Sequence, residues 1–195
     1  MSNPLSTDDI SMELSRALRL WRSIAVKELE LSVPPRVGGL GIGEVREGLG
    51  ISSRPFFTKV FGSDNLTSIM RSVIKSLGRF GEGIKYLATY TSGYELGRRL
   101  VTSGIIRSLD DLPIAFVANG IGLVDVIKES LNRMVINIYE CLSCYASKPV
   151  GKTMCWFEAG ALRGVLESLY KNNKVKEKEC WGLGYSFCSF IVEFE

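Results

Sequence analysis

Five cysteines stand in this chain, and all lie after residue 140: Cys141, Cys144, Cys155, Cys180 and Cys188. Cys141 and Cys144 form a Cys-x-x-Cys chelating pair. Cys155 opens a predicted helix, where the helix dipole favours a thiolate. Cys180 ends one predicted strand and Cys188 lies in the next, and Glu177 precedes Cys180 by three residues. Three thiolates and a carboxylate complete a four-coordinate structural zinc shell, and the Cys141/Cys144 pair offers a competing set of ligands. The opposing reading is that cysteine is among the most buried residue types and packs as a small hydrophobe. Spacing alone leaves both readings open. The chain has no histidine. That excludes Ser-His-Asp and Cys-His nucleophilic machinery and the HExxH zinc proteases. Any metal must be held by Cys, Asp, Glu and backbone.

The elements that must position these thiols follow from periodicity. Residues 7–31 read as a helix, with Thr7 as N-cap, Ile10, Leu14, Leu18, Trp21 and Ala25 on one face, and Pro34 and Pro35 beyond its end. Gly38, Gly39, Gly41 and Gly43 suit a connector better than a phosphate loop, because no strand precedes them and no GK[ST] follows. Pro55, Phe56 and Phe57 suit a packed loop or strand. Helices are predicted over 64–80, over 82–102 and, shorter, over 109–119. Gly93 and Gly97, four apart on one helix, predict a close helix–helix contact. Two strand-like segments follow over 122–130 and 134–141, then a helix over 155–170 and strands over 174–181 and 186–193. The order β-β-α-β-β predicts an α+β fold: a four-stranded antiparallel sheet packed with several helices.

Composition narrows the class further. With 195 residues, 46% hydrophobic and 23% charged, the chain is an ordinary globular one. Roughly 70% of its unfolded surface can be buried, so no staple is obligatory. The polar N-terminus shows no secretory signal, and no apolar run approaches the ~18 residues of a membrane span. These features predict a cytoplasmic protein, in which cysteines are thiols or metal ligands rather than disulfides. The net charge of +3 neither demands nor excludes nucleic acid.

Several spaced motifs then converge. Tyr139-Glu140-Cys141-x-x-Cys144 is followed by Met154-Cys155-Trp156-Phe157-Glu158-Ala159-Gly160-x-x-x-Gly164. Next comes Glu177-Lys178-Glu179-Cys180-x-Gly182-x-Gly184-x-x-x-Cys188, and upstream stands Tyr90-Thr91-Ser92-Gly93-Tyr94-Glu95-Leu96-Gly97. Over about residues 64–194 this resembles the 4-vinyl reductase, or hydrocarbon-binding, domain family. Its relatives include the sensor domains of phenol- and xylene-responsive activators and TRAPP vesicle-tethering subunits.

The resemblance implies a TRAPP-subunit-like α+β fold, a homodimer formed through helices, and a buried pocket for a small apolar ligand. It implies zinc at Cys155, Glu177, Cys180 and Cys188, with Cys141 and Cys144 as the alternative metal ligands. The sensors hold a phenolic hydroxyl with a histidine, which this chain lacks, so its ligand chemistry must differ. Tyr90, Phe116, Trp156 and Phe157 are the candidate pocket walls, between the sheet and the helix over 86–100. Residues 61–195 are expected to form this ligand-binding domain. Residues 1–60 are a helical extension, part of the same unit or a dimer arm.

The expected function is a zinc-stabilised cytoplasmic binding or sensor module. The family's reductase name finds no active site here: no nucleotide fingerprint is present, and Cys141/Cys144 lack a thioredoxin-like context. The alternative is a transcription regulator binding DNA through residues 1–60, on the strength of the Leu49-Gly50-Ile51-Ser52 turn and Arg16, Arg19 and Arg22.

Overall fold

The computed structural model describes residues 7–37, 53–170 and 172–195. The glycine-rich stretch 38–43 and the turn 49–52 lie outside them. Helices α1 (Thr7–Leu29), α2 (Pro55–Phe61), α3 (Asn65–Gly78) and α4 (Glu82–Thr102) come first. A 3-10 turn at Leu109–Asp111 leads into α5 (Leu112–Ala118). Strands β1 (Leu123–Lys128) and β2 (Arg133–Tyr139) follow, then α6 (Trp156–Tyr170), β3 (Asn173–Glu179), a 3-10 turn at Trp181–Leu183, and β4 (Cys188–Phe194). The four strands make one antiparallel sheet in the order β1-β2-β4-β3. The expected α+β class is what is found.

Two local expectations need correction. Pro55-Phe56-Phe57 begins a helix, not a loop or strand. Proline at the first helical turn has no N–H to lose there, and Phe56 and Phe57 are both buried, so the short helix is held from outside. Thr7 falls inside α1 rather than ahead of it.

The long packing contact of the fold joins α4 to α6 through glycine. A Cβ added at Gly93 would lie 2.0 Å from the Phe157 carbonyl oxygen, and one at Gly97 2.2 Å from that of Ala161. Reciprocally, a Cβ at Gly160 would lie 2.1 Å from the Tyr90 oxygen, and one at Gly164 2.2 Å from that of Tyr94. Four glycines therefore let the two helix backbones touch. The close contact predicted from Gly93 and Gly97 is real, and its partner is the Gly160-x-x-x-Gly164 face of α6.

The N-terminal helix belongs to the same packed body. Leu14, Trp21 and Ala25 are buried in the core. Arg22 makes a bidentate pair with Asp125 of β1 at 2.5 and 2.8 Å. Glu28 accepts the Ser186 N–H at 2.8 Å, and Arg36 stacks over Trp181 at 4.4 Å. Thus α1 and the turn after it grip the β3–β4 connection. Arg22 is half exposed while Asp125 is buried, so Arg22→Ala leaves a carboxylate with only Tyr139 Oη, 3.2 Å away, as a side-chain partner. We expect a loss of about 1–2 kcal/mol. Hydrogen exchange should localise it as faster exchange along α1; unchanged α1 protection would show that the pair does not dock the helix.

Candidate functional site

The β3–β4 hairpin and the start of α6 meet the loop after β2, and there all five cysteines converge. Every one is buried and none is disulfide-bonded. Sulfur–sulfur separations are 2.8 Å for Cys155–Cys144, 3.1 Å for Cys144–Cys188, 3.3 Å for Cys155–Cys188 and for Cys141–Cys155, and 3.7 Å for Cys155–Cys180. All exceed the ~2.05 Å of a disulfide. They approach or fall short of the ~3.8 Å edge of a tetrahedron drawn with zinc–sulfur bonds of ~2.3 Å.

Two quartets of donor atoms lie within 4.8 Å of one another: Cys141, Cys144, Cys155 and Cys188, and Cys155, Glu177, Cys180 and Cys188. The second is the set expected from the sequence, and the first adds the expected alternative pair. Cys155 and Cys188 are common to both. The donor chemistry of either quartet, soft thiolates in a closed buried shell, fits a structural zinc.

Local structure explains the convergence. Cys155 stands just before α6, and its N–H donates to Glu177 of β3 at 3.0 Å, so a strand carboxyl caps the helix start. Cys180 lies one residue beyond β3 and accepts from the Gly182 N–H. Gly182 and Gly184 shape the turn: a Cβ at Gly182 would meet the Lys152 oxygen at 2.3 Å, and Gly184 has φ of 100°. Cys188 opens β4, opposite Ile138 of β2.

Burial and mutual contact set the electrostatics. Burial pushes the Cys144, Cys155 and Cys188 thiols up. Thiol donors, Cys144 first, bring Cys180 down. For Cys141 burial opposes the fall, and the Cys144, Cys155 and Cys188 donors outweigh it. Burial, then the neighbouring Cys180, raises the Glu177 carboxyl to about 10. Glu158 is fully buried beside Cys141, and burial followed by Cys141 pushes its carboxyl well up. So many acidic protons in one buried pocket cannot all leave without a compensating cation. Glu158 is the member of this site that the sequence reading misses. Its signal is its place on the Cys155, Leu162, Val165 stripe of α6.

The four expected pocket walls do not enclose a common space. Phe116 is fully buried in the core, and Tyr90 and Phe157 pack against its edge. Trp156 sits outside, in edge contact with Tyr86 and under the Lys85 ammonium. None of the four lines the principal cavities of the described residues. The Leu49–Ser52 turn lies outside the described residues, and Arg22, one of the three arginines weighed for DNA contact, is paired with Asp125.

Next to the thiols, Glu140 is buried with φ of 49°, a left-handed conformation that non-glycine residues seldom adopt. Its carboxylate accepts from Trp21 Nε1 at 3.0 Å and from the Phe56 N–H at 2.9 Å, so it caps α2 from a distance. Burial is the main cause that raises its carboxyl to about 7. A raised acid favours the fold fully below its unfolded value near 4.5, and that contribution is lost as pH rises through 7. Glu140→Gln removes this dependence. Relative to wild type, the variant should gain up to about 3 kcal/mol between pH 5 and pH 8. Denaturation midpoints at the two pH values test this, and a constant difference refutes it.

A four-stranded antiparallel sheet with a thiol cluster pinning its last hairpin to the start of α6 defines a cysteine-bearing α+β domain. Known proteins that resemble it agree. The family model of the 4-vinyl reductase domain matches residues 134–194. The uncharacterized protein MJ0150 of Methanocaldococcus jannaschii is 31% identical over 131 residues, 66% of this chain and 75% of that protein. MJ1642 of the same organism is 35% identical over 100 residues, 51% of this chain and 61% of that protein. The chain belongs to the 4-vinyl reductase domain family. Among solved structures, the phenol-responsive sensory domain of the transcription activator PoxR, with phenol, superposes with a TM-score of 0.57 at 16% identity, covering 65% of this chain and 73% of that one. At that identity the likeness is one of fold.

Proposed function

We propose that this protein is a cytoplasmic binding module that takes up a small hydrophobic molecule, works as a homodimer, and is held in shape by one zinc ion. The observation that carries the reading is the convergence of five buried thiols and Glu177 between α6 and the β3–β4 hairpin. Zinc in either quartet has its four positions filled by protein, so its role is structural and no open position is left for activating water. By fixing α6 against the hairpin, the metal sets the geometry of the sheet around which a ligand is held. Membership of the 4-vinyl reductase domain family and the fold shared with a phenol-responsive sensory domain favour a sensing role over an enzymatic one. No helix among the described residues is long and apolar enough to cross a membrane.

The uncovered face of α3 and α4 supports dimerisation. α3 buries only Thr67, and Ile69, Val73, Phe80, Ile84 and Leu87 stay exposed, Leu87 at 61%. An amphipathic helix pair with its apolar side in water calls for a partner surface. Leu87→Asp places a charge on that face without touching the core. We expect it to convert a dimer into a monomer in sedimentation equilibrium while the thermal midpoint of the monomer fold is retained. A wild-type protein that sediments as a monomer at micromolar concentration would remove the dimer.

Native mass spectrometry of freshly purified protein tests the module itself. One zinc per chain and a co-purifying small molecule released by organic extraction are expected. Metal-free, fully folded protein would refute the metal clamp.

A further inference from the structure

A cavity of about 350 Å³ opens between α1, α2 and the end of the sheet that carries the thiols. Ligand sites for small molecules begin near this size, with apolar walls and few polar groups. Here the walls are Leu20 and Ile24 of α1 and Phe56 of α2, and Trp21, Glu140 and Trp181 also line it. Leu20 is 61% exposed although it stands at the rim of an apolar hollow.

Two polar groups in this lining have capacity to spare. Trp181 is buried, and its Nε1–H has no hydrogen-bond partner. Buried donors are almost always satisfied, so an orphan of this kind calls for an acceptor. Glu140 receives three donors: Trp21 Nε1 and the Phe56 and Phe57 amides. A carboxylate takes about four, so one acceptor position remains. Its left-handed backbone is the sort of local strain that persists where surroundings over-determine it, commonly at binding sites.

We propose that this cavity binds a small apolar alcohol whose oxygen accepts from Trp181 Nε1 and whose hydroxyl hydrogen donates to Glu140. A hydroxyl is the smallest single group that answers both a lone donor and a lone acceptor, and the hydrocarbon body would cover Leu20, Ile24 and Phe56. The assignment rests on the reading of the protein as a binding module for small hydrophobic molecules, and it locates the ligand away from Tyr90, Trp156 and Phe157.

Cyclohexanol, cyclohexanone and methylcyclohexane are matched probes with two, one and no hydrogen-bonding functions. Equilibrium dialysis of the whole protein against each should rank them in that order, with cyclohexanol bound about tenfold or more tightly than methylcyclohexane. Ala17→Trp, on the cavity side of α1, should cut cyclohexanol affinity at least tenfold while circular dichroism and thermal midpoint stay as in wild type. Trp181→Phe should abolish the advantage of the alcohol and the ketone over the hydrocarbon. Where Trp181→Phe does not fold, Ala17→Trp still decides. Equal binding of the three probes, or unchanged cyclohexanol binding in folded Ala17→Trp, overturns this assignment and leaves the module reading in place. No binding of any probe by folded, zinc-loaded wild type overturns the assignment. If organic extraction also releases no molecule, the module reading falls with it.

Discussion

Gly160→Ala is expected to destabilise the protein by about 3 kcal/mol or more, enough to unfold much of a domain of ordinary marginal stability. The added Cβ would sit 2.1 Å from the Tyr90 carbonyl oxygen and 2.9 Å from the Tyr94 nitrogen. Both are helix backbone atoms and cannot swing aside as a side chain would. Relief requires α4 and α6 to separate, and separation breaks the reciprocal contacts at Gly93, Gly97 and Gly164. Because α6 begins beside Cys155, such a shift would also move that thiol relative to Cys180 and Cys188. Gly83 in α4 is the control. A Cβ there meets nothing within 4 Å, so Gly83→Ala should stabilise by about 0.5–1 kcal/mol through backbone entropy alone. Urea denaturation of both variants measures the contrast. A Gly160→Ala midpoint equal to wild type would mean that the helices do not touch as described.

That contact illustrates how far local pattern carries. Gly93 and Gly97 can be read as a close approach, since four-residue spacing places them on one face. Nothing local says which of several helices approaches. The answer lies more than sixty residues on, in a pair of glycines that presents the same spacing on α6. The thiol cluster is more legible, because Cys155, Cys180 and Cys188 fall at element ends that periodicity marks. That Cys141 and Cys144 reach the same cluster depends on the turn after β2, where Glu140 and Ala146 both take positive φ. Non-glycine residues in that conformation leave no compositional trace. The sheet order β1-β2-β4-β3 is equally invisible locally, since β4 inserts between strands that precede it in sequence.

Failures of the sequence reading share a cause. Pro55-Phe56-Phe57 has poor helix propensity, yet it is helical because Glu140, more than eighty residues away, accepts its first amides. Tertiary contact overrides propensity there. The pocket expectation errs in a related way. Aromatic residues near a glycine-bearing helix resemble pocket walls, but close backbone packing of α4 on α6 leaves little room between them. The hollow with unmet hydrogen-bonding capacity lies instead where the separately placed α1 and α2 bridge the sheet end. Its polar floor comes from Glu140 and Trp181, which no short-range motif links to Leu20.

Stripping zinc is expected to lower the thermal midpoint by about 8–16 °C, reversibly on zinc return. The figure follows from linkage: a ligand present at a thousand times its dissociation constant stabilises by ~4 kcal/mol, and each kcal/mol moves the midpoint ~2–4 °C at this chain length. The apo state should remain folded in mildly acid solution, because its thiols and Glu177 can all stay protonated and pack as a neutral core. Glu177 then works against the apo fold as pH rises. Its carboxyl is raised to about 10, so its proton-linked stability is complete below its ordinary value near 4.5 and declines above it. Zinc binding displaces those protons and strengthens with pH. The gap between holo and apo midpoints should therefore widen from pH 6 to pH 8; a gap that narrows would contradict thiolate and carboxylate ligation. Cys155→Ser and Cys188→Ser remove ligands common to both quartets and should abolish stoichiometric zinc. The remaining cysteines then separate the two sets. If Cys155, Glu177, Cys180 and Cys188 hold the ion, Cys180→Ser loses zinc while Cys141→Ser keeps it. If the four-thiol set holds it, the outcomes exchange, and cobalt substitution would show the stronger charge-transfer absorption of four sulfur ligands. Retention of one zinc by both Cys155→Ser and Cys188→Ser would place the metal outside this cluster.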